Sequence, residues 1–354
     1  MKEIINVGLI GYGFSGRTFH APIITSVPNM NLMTVVERNK KDSKTDYPRV
    51  TVVQDVEQLY KDERIDVLVV TTPTTNHVEF VRDALLAGKH VVVEKPFTTT
   101  VEEANELIEL ARQSNKMLTV YHNRRWDGDF MTVAKVLENG WIGQIKECEF
   151  RWEGFDPIPT NENWREKPGQ GTGVFYDLGV HLIDQASYLF GDPETIYADI
   201  GTQREGGSAD DYFHVTLGYE NHLKVHLKSS KVVREAGPRY SLHGKHGSFV
   251  KFGTDPQEVD LITGKRTILD SMWGRESKQS WGKLTTSING ISFEGLVETI
   301  PGSYHSFYQN VYEHLTEKVP LAVRPEEARR SINIIELALQ SSKEGRRINY
   351  LEKW

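Results

Sequence analysis

The chain has a single cysteine, Cys148, in 354 residues. That excludes an internal disulfide framework and any metal centre built on several thiolates. Cys148 lies in a strand-like run and reads as a small buried residue. Positive charge is not in excess either: 42 lysines and arginines stand against 49 acidic residues, a net charge of −7. No bulk field is therefore present to recruit nucleic acid or an anionic membrane, and neither is expected as a partner. No apolar run approaches the ~18 residues that cross a bilayer. The opening residues lead straight into a strand pattern without a leader-like segment, so a cytoplasmic protein is expected. Low-complexity tails and solenoid-type repeats are missing too. What remains is an ordinary globular composition, 38% hydrophobic and 26% charged, in a chain long enough for about two domains.

The first half is organised around Val91-Val92-Val93-Glu94-Lys95-Pro96. An unbroken valine run predicts a strand buried on both faces, as inside a parallel sheet. Pro96 cannot continue the ladder, so the strand is expected to end at Lys95. Ligands of open α/β sheets bind beyond the carboxyl ends of the strands, where Glu94 and Lys95 would stand. Residues 5–10 predict another buried strand, followed at once by Gly11-Tyr12-Gly13-Phe14-Ser15-Gly16 and a helical pattern over 17–26, interrupted by Pro22. This is G-x-G-x-x-G after a strand and before a helix. Gly11 would allow the tight turn, Gly13 the approach of a pyrophosphate, and Gly16 the packing of helix on strand. The phosphates would then meet free N–H groups around Phe14, Ser15 and Gly16.

A strand over 32–36 ends at Glu37-Arg38. An acid there accepts hydrogen bonds from the adenosine ribose and selects NAD, whereas an arginine can hold a 2′-phosphate. Strands over 50–53 and 66–70 follow, the second ending in the polar loop Thr71-Thr72-Pro73-Thr74-Thr75-Asn76-His77. A helix over 78–87 closes at Gly88. Thr100 is expected to cap a helix over 101–114, with Glu102 and Glu103 in its first turn. A strand over 117–121 completes the alternation, which predicts a doubly wound α/β domain over 1–121.

The polar and aromatic run from His122 to Asp127 marks the expected boundary to a second domain over 122–354. A helix over 129–139 and a strand over 145–155 are predicted there, then a loop through Trp164-Arg165 and several glycines. Residues 176–190 are patterned as a helix, with Asp177, His181 and Asp184 at i, i+4 and i+7 on one face. Two carboxylates and an imidazole are costly to bury unless paired or used. Five strand-like runs between 194 and 252 lack intervening helices and predict an antiparallel sheet. Helices over 302–316 and 325–344 complete an α+β domain with a large, mainly antiparallel open sheet.

The combination of Gly11-x-Gly13-x-x-Gly16, Thr72-Pro73-x-x-x-His77, Glu94-Lys95-Pro96 and Asp177-x-Gly179-x-His181-x-x-Asp184 resembles the glucose–fructose oxidoreductase/inositol dehydrogenase (Gfo/Idh/MocA) family across essentially the whole chain. Asn123-Arg124-Arg125-Trp126-Asp127 and Tyr176-Asp177-Leu178-Gly179 are similar to the subgroup containing NADP-using scyllo-inositol dehydrogenases. Glu37 departs from the small polar residue often found there, and on that ground NAD is slightly favoured over NADP. The resemblance implies a nicotinamide-dependent dehydrogenase acting on a polyol or sugar, with an inositol as the leading substrate. It implies Lys95 as the catalytic lysine, with Asp177 and His181 completing the set and His181 accepting the proton. Lys95-Pro96 would be a cis peptide. Thr71, Thr72, Pro73, Asn76, His77, Glu94, Arg124, Trp164 and Arg165 would contact the cofactor, and Tyr121 the substrate. The open sheet would support a homodimer or homotetramer. No metal is implied. Two other readings are carried: an NAD-dependent glycosidase of the same fold, and a non-catalytic dinucleotide-binding regulator.

Overall fold

The computed structural model describes residues 3–160 and 164–350. They form two compact units that the chain visits in turn. The first holds the residues up to Trp126, Gln257–Trp273 and Ser303–Arg329; the second holds Asp127–Pro256, Gly274–Gly302 and the residues from Arg330 on. The first break in this division falls at Trp126/Asp127, and the chain returns twice to the first unit. Those returns join segments distant in sequence, which local composition does not signal.

In the first unit, strands β1 (Ile5–Ile10), β2 (Met30–Val36), β3 (Thr51–Val53), β4 (Val67–Val70), β5 (His90–Val93) and β6 (Leu118–Val120) alternate with helices α1 (Ala21–Ser26), α2 (Asp42–Asp46), α3 (Glu57–Lys61), α4 (His77–Leu86) and α5 (Val101–Gln113). All six strands pair in parallel, in the order β3-β2-β1-β4-β5-β6. Every residue of β4 is buried, as the apolar runs of a two-sided core require. Thr100 caps α5 in a full capping box: its hydroxyl accepts from Glu103 N at 3.2 Å, and Glu103 Oε2 accepts from Thr100 N at 3.1 Å.

The valine strand is shorter than predicted. It ends at Val93, and Glu94 N makes the last ladder bond, to Val70 O at 3.0 Å. Lys95 N then leaves the ladder for the Glu94 carboxylate, with 2.9 Å to Oε2. The Lys95-Pro96 bond is cis. The helix after the glycine loop also differs from the prediction. Gly16–His20 is a π turn, and α1 starts at Ala21 with Pro22 in its first turn.

Beyond Trp126 come α6 (Gly128–Glu138), β7 (Ile145–Glu153), α7 (Val180–Phe190), β8 (Thr195–Gly201), β9 (Tyr212–Gly218), β10 (Lys224–Ser230), β11 (Tyr240–Gly244) and β12 (Gly247–Lys251). The first unit then takes α8 (Gln257–Thr263), the second β13 (Gly282–Ile288) and β14 (Ile291–Val297), and the first α9 (His305–Glu317). Helix α10 (Pro325–Glu344) and β15 (Ile348–Asn349) follow. The second unit's sheet runs β14-β13-β12-β11-β7-β10-β9-β8-β15. It is antiparallel except where β10 lies parallel to β7. Alternation along β9 buries Phe213, Val215 and Leu217 and turns His214 and Thr216 outward. Cys148 on β7 is buried, and burial pushes its thiol pKa up. No helix among the described residues is long and apolar enough to cross a membrane.

Candidate active site

The glycine loop is set by close approach at two of its three glycines. Gly11 has φ +99°, and a β-carbon on Gly16 would lie 2.4 Å from Gly11 O. Thr71, at the end of β4, holds this turn by donating from Oγ1 to Ile10 O and Gly11 O, each at 3.0 Å. Gly13 is different: a β-carbon there would meet no atom within 4 Å. That open ground lies beside the first N–H groups of a helix, which lack intrahelical acceptors. The arrangement fits a dinucleotide pyrophosphate, with Gly13, Phe14, Ser15 and Gly16 as its backbone donors.

A cavity of about 560 Å³ continues from the loop along the ends of β1, β2 and β4; Gly11, Glu37, Arg38, Lys40, Thr72 and Asn76 are among its lining. Its floor shows what β2's terminal acid does. Glu37 is buried, and its carboxylate faces the first turn of α2. Oε2 accepts from Asp42 N at 3.0 Å, and Oε1 accepts from Ser43 N at 2.9 Å and from the Ser43 hydroxyl. Sequence reasoning missed this anchoring of α2, because an acid five residues before a short helix carries no capping signature.

At the end of β5, Glu94 and Lys95 diverge. Glu94 is buried and Oε1 accepts from the Ser15 hydroxyl and from His20 Nε2, the latter at 2.8 Å. The glycine loop and the lysine strand are thus joined through one carboxylate. His20 was not singled out by the sequence, nor was Tyr308, whose hydroxyl lies 2.5 Å from His20 Nδ1. Tyr121 is buried with its ring 4.3 Å from that of His20 and 4.8 Å from Phe307.

His77 opens α4 in a fully enclosed position. Nε2 lies 3.0 Å from Thr72 O, and Nδ1 lies 2.9 Å from Pro96 O and 3.2 Å from Phe97 O. Burial lowers its pKa despite these carbonyls. His77 therefore fixes the loop containing Thr72 and Pro73 against the segment after Lys95. Arg124 is also buried, donating to the Tyr304 hydroxyl at 3.0 Å and to Glu258. Its contacts tie α8 and the start of α9 into the first unit.

In the second unit, the turn carrying Asp177 is again π, Phe175–Gly179, and α7 begins only at Val180. The predicted uninterrupted α-helix from Tyr176 is corrected accordingly; π turns of this kind are frequent at functional sites. Gly179 is needed because a β-carbon there would lie 2.6 Å from the Phe175 ring. His181 and Asp184 are buried on α7, and the His181 ring lies 6.0 Å from that of Trp152. Arg165 packs over Trp164 at 4.7 Å and places Nε 3.3 Å from Asp177 Oδ1. The start of the π turn is held by Asp210, whose Oδ2 accepts from Phe175 N at 2.7 Å while its carbonyl accepts from Val174 N at 2.8 Å.

The pattern of the oxidoreductase family's NAD-binding Rossmann fold matches residues 5–122, and that of its C-terminal alpha/beta domain matches residues 134–350. The chain belongs to the Gfo/Idh/MocA oxidoreductase family. Among its relatives, the scyllo-inositol 2-dehydrogenase (NADP(+)) IolW of Bacillus subtilis is 39% identical over 98% of this chain and 96% of its own length. The uncharacterized oxidoreductase YdgJ of Escherichia coli is 38% identical over 97% and 98%. The solved structure of yvaA from Bacillus subtilis superposes with a TM-score of 0.95 at 38% identity, covering 99% of this chain and 100% of that one. An oxidoreductase from Bacillus cereus does so at 0.92 and 34% identity, covering 99% of each. This Gfo/Idh/MocA member is thus an oxidoreductase with a nicotinamide-binding Rossmann unit and a mixed, mostly antiparallel second sheet.

Proposed function

We propose that the protein is a dehydrogenase that moves hydride between a nicotinamide cofactor and a secondary alcohol of a polyol or sugar, with an inositol as the leading substrate. The observation that supports it most is the placing of the glycine loop and Lys95 at carboxyl ends of strands in one parallel sheet of order 3-2-1-4-5-6. The nicotinamide supplies the hydride chemistry when bound. Lys95 is read as the ammonium that stabilises the developing alkoxide. His181 is read as the base that takes the hydroxyl proton, with Asp177 orienting the reacting groups. Gly11, Gly13, Phe14, Ser15 and Gly16 would hold the pyrophosphate. Glu37, Arg38, Thr72 and Asn76 would surround the adenosine, and Trp164 and Arg165 are read as further cofactor contacts.

For the choice of cofactor, a carboxylate at Glu37 disfavours a 2′-phosphate. Its hydrogen bonds to α2 and the exposed Arg38 and Lys40 on the same cavity temper that effect. NAD is slightly favoured and NADP is accepted. We place the enzyme in the cytoplasm as a homodimer or homotetramer, which sedimentation would distinguish. The test of the reading is a panel of inositols, other polyols and aldoses with NAD and with NADP, followed by absorbance of the reduced cofactor. Turnover with at least one secondary alcohol is expected; reduced cofactor from none of them would overturn the reading. Release of sugar from a glycoside without net cofactor reduction would assign glycosidase activity instead.

A further inference from the structure

His20 ends the π turn behind the glycine loop and is fully buried. It faces two polar side chains from opposite sides. Nε2 lies 2.8 Å from Glu94 Oε1, and Nδ1 lies 2.5 Å from the Tyr308 hydroxyl on α9. An ionised carboxylate only accepts, so Nε2 carries a proton. Glu94 is also the acceptor of the Ser15 hydroxyl, through Oε1, and of Lys95 N–H, through Oε2. One carboxylate therefore links the loop that cradles phosphate to the backbone of the proposed catalytic lysine. The Tyr121 ring packs tilted against the imidazole, with centroids 4.3 Å apart.

The charges around this carboxylate explain why it stays ionised. Burial alone would raise the Glu94 pKa, but the hydrogen bond from His20, then that from Ser15 and the charge of Lys95, bring it down to about 2. The Tyr308 phenol is pushed the other way by burial, with Tyr121 and Glu94 adding to it, so it remains a neutral hydroxyl.

We propose that His20 is a positioning residue for the dehydrogenase reaction, fixing the Glu94 carboxylate so that Ser15 and the Lys95 backbone are held in register around the cofactor. This rests on the reading of the protein as a nicotinamide-dependent dehydrogenase. It assigns His20 no contact with substrate or cofactor. It acts by preorganisation: a displacement of about 1 Å at a reacting group can cost on the order of 10²-fold in rate. Tyr308 is the outer member of the same chain, its hydroxyl meeting His20 at Nδ1.

Two isosteric halves of the imidazole separate this role from simple packing. His20→Asn keeps a polar group near Nδ1, toward Tyr308, and loses the donor to Glu94. His20→Gln places an amide N–H near Nε2 and retains it. The measurements are NADH and NADPH dissociation constants by fluorescence, and kcat against pH with the best alcohol of the panel. His20→Asn should weaken cofactor binding roughly tenfold, the scale of a lost hydrogen bond to a charged group. It should also lower kcat on the order of 10²-fold and add an acidic limb where the unsupported Glu94 takes up a proton. His20→Gln should return binding to within about threefold of wild type and remove the added limb. Equal behaviour of the two folded variants, or wild-type binding and pH profile in His20→Asn, would overturn the proposal. Cofactor binding is read apart from turnover. A wild type that binds NADH or NADPH but oxidises no alcohol would therefore fail the substrate reading alone, and the two dissociation constants would still decide the role of His20.

Discussion

Arg165 Nε lies 3.3 Å from Asp177 Oδ1, and each side chain is about one-third exposed. The pair joins a segment read as reaching the cofactor to the π turn that carries a proposed catalytic carboxylate. A partly exposed ion pair contributes on the order of 0–1 kcal/mol to stability, so its value lies in orientation.

Arg165→Ala should therefore reduce kcat/KM about tenfold, the scale of one lost charge-assisted contact, with little change in thermal midpoint. If Arg165 acts through Asp177, its effect should shrink in an Asp177→Asn background, and a double-mutant cycle on kcat/KM measures that. Full additivity would show that the two residues act independently.

Glu37 supports a prediction with two readouts. Its carboxylate holds Asp42 N, Ser43 N and the Ser43 hydroxyl. Glu37→Ser should raise the ratio of kcat/KM for NADP to that for NAD, because a negative charge leaves the end of the cavity proposed to take the ribose. The same change should lower stability by about 1–3 kcal/mol, because the α2 amides lose a charged acceptor. Glu37→Gln keeps one acceptor oxygen and should show a smaller stability loss. The two ratios and two denaturation curves check this together. A wild type with much higher kcat/KM for NADP would set aside the proposed preference for NAD.

Much of this molecule was legible because it is written in local signals. The valine run, the glycine turn at residue 11, the Thr100 cap and the strand-like run over 212–217 each lead to the element observed. What was not legible depends on partners far apart in the chain. His20 and Glu94 are separated by 74 positions, and His20 and Tyr308 by 288. The parallel pairing of β7 with β10 is likewise a choice among neighbours in a sheet that alternation alone reads as antiparallel. The π turns escaped for another reason: one residue more per hydrogen-bonded ring leaves the helical pattern nearly unchanged while resetting the start of the α-helix. The end of β5 was misplaced because Pro96 marks where pairing becomes impossible, whereas the Lys95 amide already leaves the ladder for the Glu94 side chain.

Lys95 and His181 separate binding from chemistry. Lys95 follows the last ladder bond of β5, so Lys95→Ala should leave the sheet intact, retain cofactor binding and abolish most turnover. His181→Ala should slow alcohol oxidation by roughly 10²–10⁴-fold, the range for loss of a general base. It should also remove the acidic limb of the kcat/KM profile. An unchanged acidic limb in that variant would move the base elsewhere, with Lys95 the first candidate.

Asp210 provides the last prediction, and here the sign of the pH dependence is decisive. Burial raises its carboxyl from an ordinary value of 3.8 to about 6, against the opposing hydrogen bonds from Phe175 N and the neighbouring backbone. Gly173 permits this placement: it has φ +84°, and a β-carbon there would lie 1.9 Å from Asp210 Oδ1. Between about pH 4 and pH 6 the folded chain holds a proton on Asp210 that the unfolded chain releases. Stability from this group is thus present at low pH and is lost as pH rises through 6, by about 3 kcal/mol in all. Asp210→Asn keeps an acceptor for Phe175 N and cannot ionise. Relative to wild type it should gain stability between pH 5 and pH 8, measured as the shift in urea midpoint at each pH. Because Asp210 holds the start of the turn bearing Asp177, its turnover should persist, whereas Asp210→Ala should lose both stability and activity. An equal difference between Asp210→Asn and wild type at the two pH values would mean that the Asp210 carboxyl does not titrate in this window.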